Sequence, residues 1–383
     1  MPHSHGSVAS VQAVQCLQLH LTDGIGPIRF ARILRRFGSI EAALEAPAAA
    51  LARIDGIGSA TADRIVAGRA AVDVEAEVAR AAELGVRIVS VVDEDYPPAL
   101  RTIADPPPCL YVRGSLEAAD AVALSIVGAR QSTRYGSEQA ERFGALAARA
   151  GLTVVSGMAR GIDQAAHRGA LAGQGRTLAV LGCGLGQVYP PDARELADRI
   201  AASGALLSEL PVDAPPDEKN FPRRNRIIAG LGLGTLVVEA GARSGAMITA
   251  RLACEYNREV FAVPGRLDTP QAEGCHALIQ RGEAKLVTHM RDILGELGEV
   301  GRKLMDTTEP AGDELPARPA VAAAALNPDQ RALMTAFAEE PMTIDALVEA
   351  SGLSPARVAA ELTSLQLLGV VRRVGGDQFE PAV

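Results

Sequence analysis

From Val11 to Gly68 apolar side chains recur three and four positions apart, a spacing that predicts packed helices. Two tight turns interrupt them, Asp23-Gly24-Ile25-Gly26-Pro27 and Asp55-Gly56-Ile57-Gly58. The run Leu51 to Val66 then reads as helix, turn, helix, the form of a SAM-like or helix-hairpin-helix element. In such an element the glycines let backbone N–H groups at a helix start approach a phosphate. The same pattern also suits a small docking module whose glycines only turn the chain. From Val86 the period changes. Short β-rich runs (Val86–Val92, Ala123–Val127, Leu152–Val155, Thr177–Leu181, Ala205–Ser208, Thr235–Val238, Val260–Val263) alternate with helical stretches such as Tyr135–Ala150, Ile162–Ala172 and Ala246–Tyr256. Strands that are almost continuously apolar predict a parallel sheet covered on both faces, with ligands at the carboxyl ends of its strands.

Residues 306–325 hold Pro310, Pro316 and Pro319 among alanines and acids and read as a linker. Beyond it, Thr343 to Gly369 has the two helices and the Ser-Gly-Leu-Ser turn of a helix-turn-helix, and Gly369 to Phe379 reads as a two-stranded wing. The expected fold is therefore α/β: a helical domain over 1–80, a parallel-sheet domain over 81–300, a linker over 301–325 and a winged helix over 326–383.

Composition narrows the classes. A chain of 383 residues with 48% apolar and 22% charged side chains has enough apolar material for two or three domains and is not disordered throughout. The longest uncharged apolar stretch, Ile227 to Val238, is broken by three glycines and falls short of the roughly 18 residues a membrane helix needs. The N-terminus lacks the cationic and apolar regions of a signal peptide, so a cytoplasmic location is expected, without membrane insertion. Five scattered cysteines with no Cys-x-x-Cys argue against a disulfide framework or a zinc site, and no metal or cofactor is expected.

The net charge of -8 conceals a division. It splits into -3 over residues 1–100, +2 over 101–290, -3 over 291–324 and -4 over 325–383. Only the sheet region is positive, and of the 38 basic side chains just three are lysines, so its cations are guanidinium forks suited to phosphate.

The loops that follow the middle strands carry the chemistry. Ile126 to Gly136 offers Gly128, Arg130, Ser132 and Arg134 where a strand gives way to a helix, an anion-binding arrangement. Val155 to His167 and Gly182 to Pro191 are two more such loops. The densest signal is Lys219-Asn-Phe-Pro-Arg-Arg-Asn-Arg-Ile-Ile228, four cations around Phe221 without an acid. Guanidiniums for phosphate and a ring for bases are what a single strand requires. The competing reading makes Arg223, Arg224 and Arg226 a solvated helix face and Phe221 a core residue. Asp163 and His167, four apart, read as a helix-start carboxylate and a satisfied histidine rather than an acid–base pair or half a metal site. Glu239 is either a catalytic carboxylate or a buried partner of an arginine.

Enzyme fingerprints fail. Gly182, Gly184 and Gly186 are spaced Gly-x-Gly-x-Gly instead of the dinucleotide pattern, and no P-loop lysine, His-Glu-x-x-His or Gly-x-Ser-x-Gly occurs. A nucleotide phosphoribohydrolase on a related sheet is the enzymatic alternative. That group places Pro-Gly-Gly-x-Gly-Thr after a strand with a glutamate soon following. Here Gly232-Leu-Gly-Thr235 precedes the strand and Glu239 stands at its far end.

These loops closely resemble the DNA-processing protein A (DprA, or Smf) family. The matching pieces are Ser125-Ile-Val-Gly-Ala-Arg with Tyr135-Gly136, Ser156-Gly-Met-Ala-Arg-Gly-Ile-Asp with Ala166-His167, Gly182-Cys-Gly-Leu with Tyr189-Pro190, and Phe221-Pro-Arg-Arg-Asn-Arg-Ile-Ile-Ala-Gly. Val238-Glu-Ala, Ser244-Gly-Ala-Met-Ile-Thr249, Phe261-Ala-Val-Pro-Gly265 and Gly274-Cys-His-Ala-Leu-Ile279 extend the match over about Asp95 to Val287. The resemblance implies an extended Rossmann-like domain that binds single-stranded DNA without catalysis or cofactor, forms a homodimer, and helps load the RecA recombinase in natural transformation. By position it implies that Arg130, Arg224, Asn225 and Arg226 grip phosphates, with Arg223 beside them. Ser156 and Gly157 would donate hydrogen bonds, Phe221 would stack on a base, and His276, Leu278 and Ile279 would lie in the dimer interface. Two departures stand out: Pro191 and Asp192 follow Tyr-Pro where relatives often carry a cation, and Leu185-Gly186 replaces Leu-Asp. The winged helix, net -4 with only Arg357 on its second helix, is expected to contribute protein contacts more than strand affinity, and a sequence-specific regulator built on it fails on charge.

Overall fold

The computed structural model describes residues 8–307, 326–337, 341–367, 370–375 and 377–381. The chain divides into two compact units, Met1–Asp313 and Glu314–Val383.

The first unit opens with six helices: α1 (Val11–Leu21), α2 (Pro27–Phe37), α3 (Ile40–Glu45), α4 (Ala48–Leu51), α5 (Ser59–Arg69) and α6 (Val74–Glu83). Ser10, Ser39 and Asp73 start α1, α3 and α6 by accepting a hydrogen bond from a first-turn N–H. By contrast α2 and α5 each start directly after the second glycine of a Gly-x-Gly turn, as the hairpin pattern predicts. Arg29 ties the two turns together by donating to the carbonyls of Gly24 (2.7 Å) and Gly56 (3.0 Å). Leu17, Leu19, Phe30, Ile33, Leu51 and Ile65 form the buried core of this helical layer.

The rest of the unit is a nine-stranded sheet. Its elements run β1 (Arg87–Ser90), α7 (Pro98–Arg101), β2 (Cys109–Gly114), β3 (Ala123–Val127), α8 (Arg134–Arg149), β4 (Thr153–Ser156), α9 (Ile162–Ala172), β5 (Thr177–Val180), α10 (Arg194–Ser203), β6 (Ala205–Ser208), α11 (Asn220–Leu231), β7 (Gly234–Val237), α12 (Gly245–Glu255), β8 (Glu259–Ala262), α13 (Glu273–Gln280), β9 (Lys285–Leu286), α14 (Met290–Leu294) and α15 (Gly298–Thr307). The spatial order is β1-β2-β6-β5-β4-β3-β7-β8-β9. From β6 to β9 every neighbouring pair is parallel, while β2 lies antiparallel to both β1 and β6. Strands β3 to β7 are buried along their length, as expected for a sheet covered on both faces.

The seven β-rich runs fall on seven of these strands. Two strands go beyond the sequence reading: β2, an apolar run directly behind Pro106-Pro107-Pro108, and the two-residue edge strand β9. The Lys219–Ile228 segment, read for its charges, lies mostly within helix α11.

In the second unit α16 (Pro328–Ala336), β10 (Met342–Thr343), α17 (Ile344–Ser351), α18 (Pro355–Leu367), β11 (Val371–Gly375) and β12 (Gln378–Pro381) surround Leu333, Leu347, Val358, Leu362, Leu365 and Phe379. Three helices and a small antiparallel sheet of order β10-β12-β11 make a winged helix. The expected linker, 301–325, extends beyond the described residues after Thr307.

Candidate nucleic-acid interface

Because the strands from β6 to β9 run one way, the loops that follow them emerge on one edge of the sheet, and α11 begins there. Helical periodicity then sorts the Lys219–Ile228 cluster. Arg224 lies three and four residues before Ile227 and Ile228, so it shares their inward face, whereas Arg223 points to solvent.

Arg224, expected to grip phosphate, is instead interior. Its side chain is 4% exposed and donates to the carbonyl oxygens of Gly157 (2.6 Å) and Val180. Gly157 is needed for this approach, since a Cβ there would lie 2.4 Å from a guanidinium nitrogen. Burial pulls this guanidinium down to about 10, against the attraction of Asp163. Asp163 is raised by burial, opposed by Arg224 and by the N–H groups of Ala159 and Gly157. Arg224 thus clamps α11 to the carboxyl ends of β4 and β5.

Arg226 is interior for a different reason. It pairs with Glu209 and Asp105, and Asp105 also accepts from the Tyr256 hydroxyl at 2.8 Å. Ser156, another expected donor, is fully buried and spends its hydroxyl on the Ile126 carbonyl at 2.6 Å. Gly157 is buried, with its carbonyl taken by Arg224. Gly128 packs against Ile162, Ser132 bonds Ser137 at 2.8 Å, and Arg134 is tied to Glu138 at 2.6 Å.

Other residues of the cluster do face outward together. The Arg130 guanidinium lies 5.3 Å from the Phe221 ring centroid, and Tyr189 stands 5.5 Å from that ring, tilted by 38°. Phe221 is half-buried, resting on Gly182, while Tyr189 is 40% exposed. A cation over a ring with a second ring beside it makes a cation–aromatic cluster at the surface. Around it Lys219, Arg223 and Arg243 are exposed, and like Arg130 none of them has an ion pair among the described residues. Asn225 donates to the Gly245 carbonyl at 3.2 Å and so docks the Arg243 loop against α11. Arg160 is held by Asp192 at 2.8 Å, so the acid that replaces a cation after Tyr-Pro also occupies a neighbouring arginine.

Sequence reading missed Tyr189 and Arg243 as members of this surface. Both sit in loops directly after strands, β5 and β7, which is the signal that finds them.

Two titratable groups resolve as structural. His167 is fully buried, with Nδ1 2.7 Å from the Thr177 hydroxyl, and burial, with Arg224 and Arg168 adding, lowers it to about 3. The folded protein therefore resists protonating this ring, so its contribution to stability is intact above 6.5 and is lost as pH falls from 6.5 towards 3. Unfolding free energy should fall by about 1 kcal/mol between pH 6.5 and about pH 5.5 from this group alone. Replacement His167→Asn should flatten that part of the profile, and an unchanged profile would contradict the assignment. Glu239 pairs with no arginine among the described residues; it is 4% exposed and its carboxylate accepts from the Thr133 N–H at 2.9 Å.

The expected dimer residues divide as well. Leu278 is 3% exposed and packs in the core of the single chain. The His276 Nε2 lies 3.0 Å from the Gly265 carbonyl oxygen, and Ile279 packs partly against the core.

Comparison with known proteins covers all three regions. Residues 87–298 match the family model "DNA recombination-mediator protein A", 317–377 match the DprA winged helix domain, and 22–70 match a SAM-like helix-hairpin-helix tandem. Protein Smf of Synechocystis is 34% identical over 93% of this chain and 96% of its own length. Protein Smf of Escherichia coli is 40% identical over 74% of each chain. Among solved structures, DNA processing protein A from Streptococcus pneumoniae superposes with a TM-score of 0.66 at 34% identity, covering 75% of this chain and 98% of that one. The counterpart from Helicobacter pylori, whose structure was described for its single-stranded DNA binding mode, gives a TM-score of 0.50 at 28% identity over 57% of this chain and 96% of its own.

Proposed function

We propose that this chain, which belongs to the DNA recombination-mediator protein A family, binds single-stranded DNA across the strand-end edge of its sheet and acts by binding rather than by catalysis. The Arg130, Phe221 and Tyr189 cluster carries the reading, because it sets two rings beside a cation that has no ion pair among the described residues. Lys219, Arg223 and Arg243 extend the positive surface, and the neighbouring family member from Helicobacter pylori is a single-strand binder.

The mechanism follows from what is exposed and what is not. Free guanidiniums attract the phosphate chain and release its counterions, which gives affinity without sequence. A base lying on Phe221 is accepted whatever its identity, since every base has a π-face. Arg224 and Arg226 contribute indirectly, by fixing the elements that hold the outer cations. Family membership extends the proposal to a homodimer in the cytoplasm that passes DNA to the RecA recombinase during transformation. No helix among the described residues is long and apolar enough to cross a membrane.

Competition on a labelled single strand, followed by fluorescence anisotropy, tests the reading. Unlabelled single strands of unrelated sequence should displace the probe alike, and duplex of equal length should require at least about tenfold more, because its bases are unavailable for stacking. Equal competition by duplex would overturn the stacking mechanism.

A further inference from the structure

We propose that Glu239 is a built-in substitute for a ligand phosphate, and that it keeps free phosphate and nucleotide phosphates out of the crevice where sheets of this topology usually hold them. From β3 the chain builds β4, β5 and β6 to one side and β7, β8 and β9 to the other, so the connection reverses between β3 and β7. Ligands of doubly wound sheets bind at such a reversal, with a phosphate on the N-terminus of the following helix. Here that helix is α8.

The start of α8 is shaped to receive an anion, and the chain supplies one. Glu239, two residues beyond the end of β7, accepts hydrogen bonds from both the backbone N–H and the hydroxyl of Thr133, the N-cap residue of α8. Gly136 in the first turn leaves the necessary space, for a Cβ there would lie 2.2 Å from a carboxylate oxygen. Gly128 lets the two loops close, since its Cβ would come within 2.8 Å of the Glu239 carbonyl oxygen. The carboxylate also complements the positive end of the helix dipole. It therefore occupies the volume, the donors and the field that a phosphate would use, and a second anion is repelled.

This explains how a sheet of nucleotide-binding topology leaves its phosphates to outer side chains. The inference rests on topology and on Glu239, independently of strand binding, so the two are tested separately. Thermal unfolding of the full chain is followed in chloride and in tens of millimolar inorganic phosphate at matched ionic strength, for wild type, Glu239→Gln and Glu239→Ala. Wild type and Glu239→Gln, both of which fill the crevice, should unfold at the same temperature in the two salts. Glu239→Ala should unfold earlier in chloride and gain roughly 2–4 °C in phosphate. An alanine variant indifferent to phosphate, or a wild type that gains as much as that variant, would overturn the proposal. Should the alanine variant fail to fold in chloride, folding on addition of phosphate supports the proposal and failure in both salts overturns it. Anisotropy with a labelled single strand on the wild type reports separately on DNA binding.

Discussion

Replacing Arg224 with alanine is expected to cost about 3–5 kcal/mol of folding stability, the loss of two buried charge-assisted hydrogen bonds at about 1.5–3 kcal/mol each. The guanidinium is 4% exposed, bonds the carbonyls at the ends of β4 and β5, and faces Asp163. Its removal leaves two carbonyls unpaired and a buried carboxyl without its cation. Lysine at 224 should recover only part of the loss, since an ammonium on a flexible stem does not reproduce a planar fork. Urea unfolding followed by circular dichroism measures this directly. A variant that lost strand affinity with an unchanged unfolding midpoint would return Arg224 to the binding surface.

The second large effect is on binding. Truncating Phe221 to alanine should weaken single-strand affinity by about 1–3 kcal/mol, or roughly 5- to 150-fold. The ring supports the Arg130 guanidinium at 5.3 Å and stands beside Tyr189, so its loss disperses the cluster as well as the base contact. Phe221→Trp should restore most of the affinity, because stacking asks for a ring face and not for a particular ring. Anisotropy titration of the two variants decides the matter, and alanine binding as tightly as wild type would mean that the ring only fills space over Gly182.

Much of this was legible in the sequence, for reasons that are physical. Strands buried on both faces announce themselves as continuous Val, Leu and Ile runs, so β3 to β8 fall where those runs do. Strand β2 was missed because it pairs antiparallel outside the alternation of strand and helix, and β9 because two residues make no pattern. The site was harder to read. Charge density marked Lys219–Ile228 correctly as unusual, but it could not say which guanidinium faces out. Fitting a helix to Arg224, Ile227, Ile228 and Leu231 would have placed Arg224 inside, a case in which periodicity outweighs polarity. Arg226 needed partners from distant segments, Asp105 and Glu209, which no local pattern reveals. Leu278, placed in an interface by the resemblance, is buried within the single chain, because a helix carried against the sheet buries its apolar face.

The central claim is that the exposed guanidiniums on this edge, which have no ion pair among the described residues, bind DNA while the buried ones hold the fold. The most direct measurement is the salt dependence of single-strand binding for wild type, for Arg130→Ala with Arg223→Ala, and for Arg134→Ala. Each phosphate contact removed should reduce the slope of log affinity against log salt by about 0.7, so the double variant should lose about 1.4. Arg134→Ala, whose cation is already engaged by Glu138, should match wild type. A double variant with the wild-type slope would contradict the account.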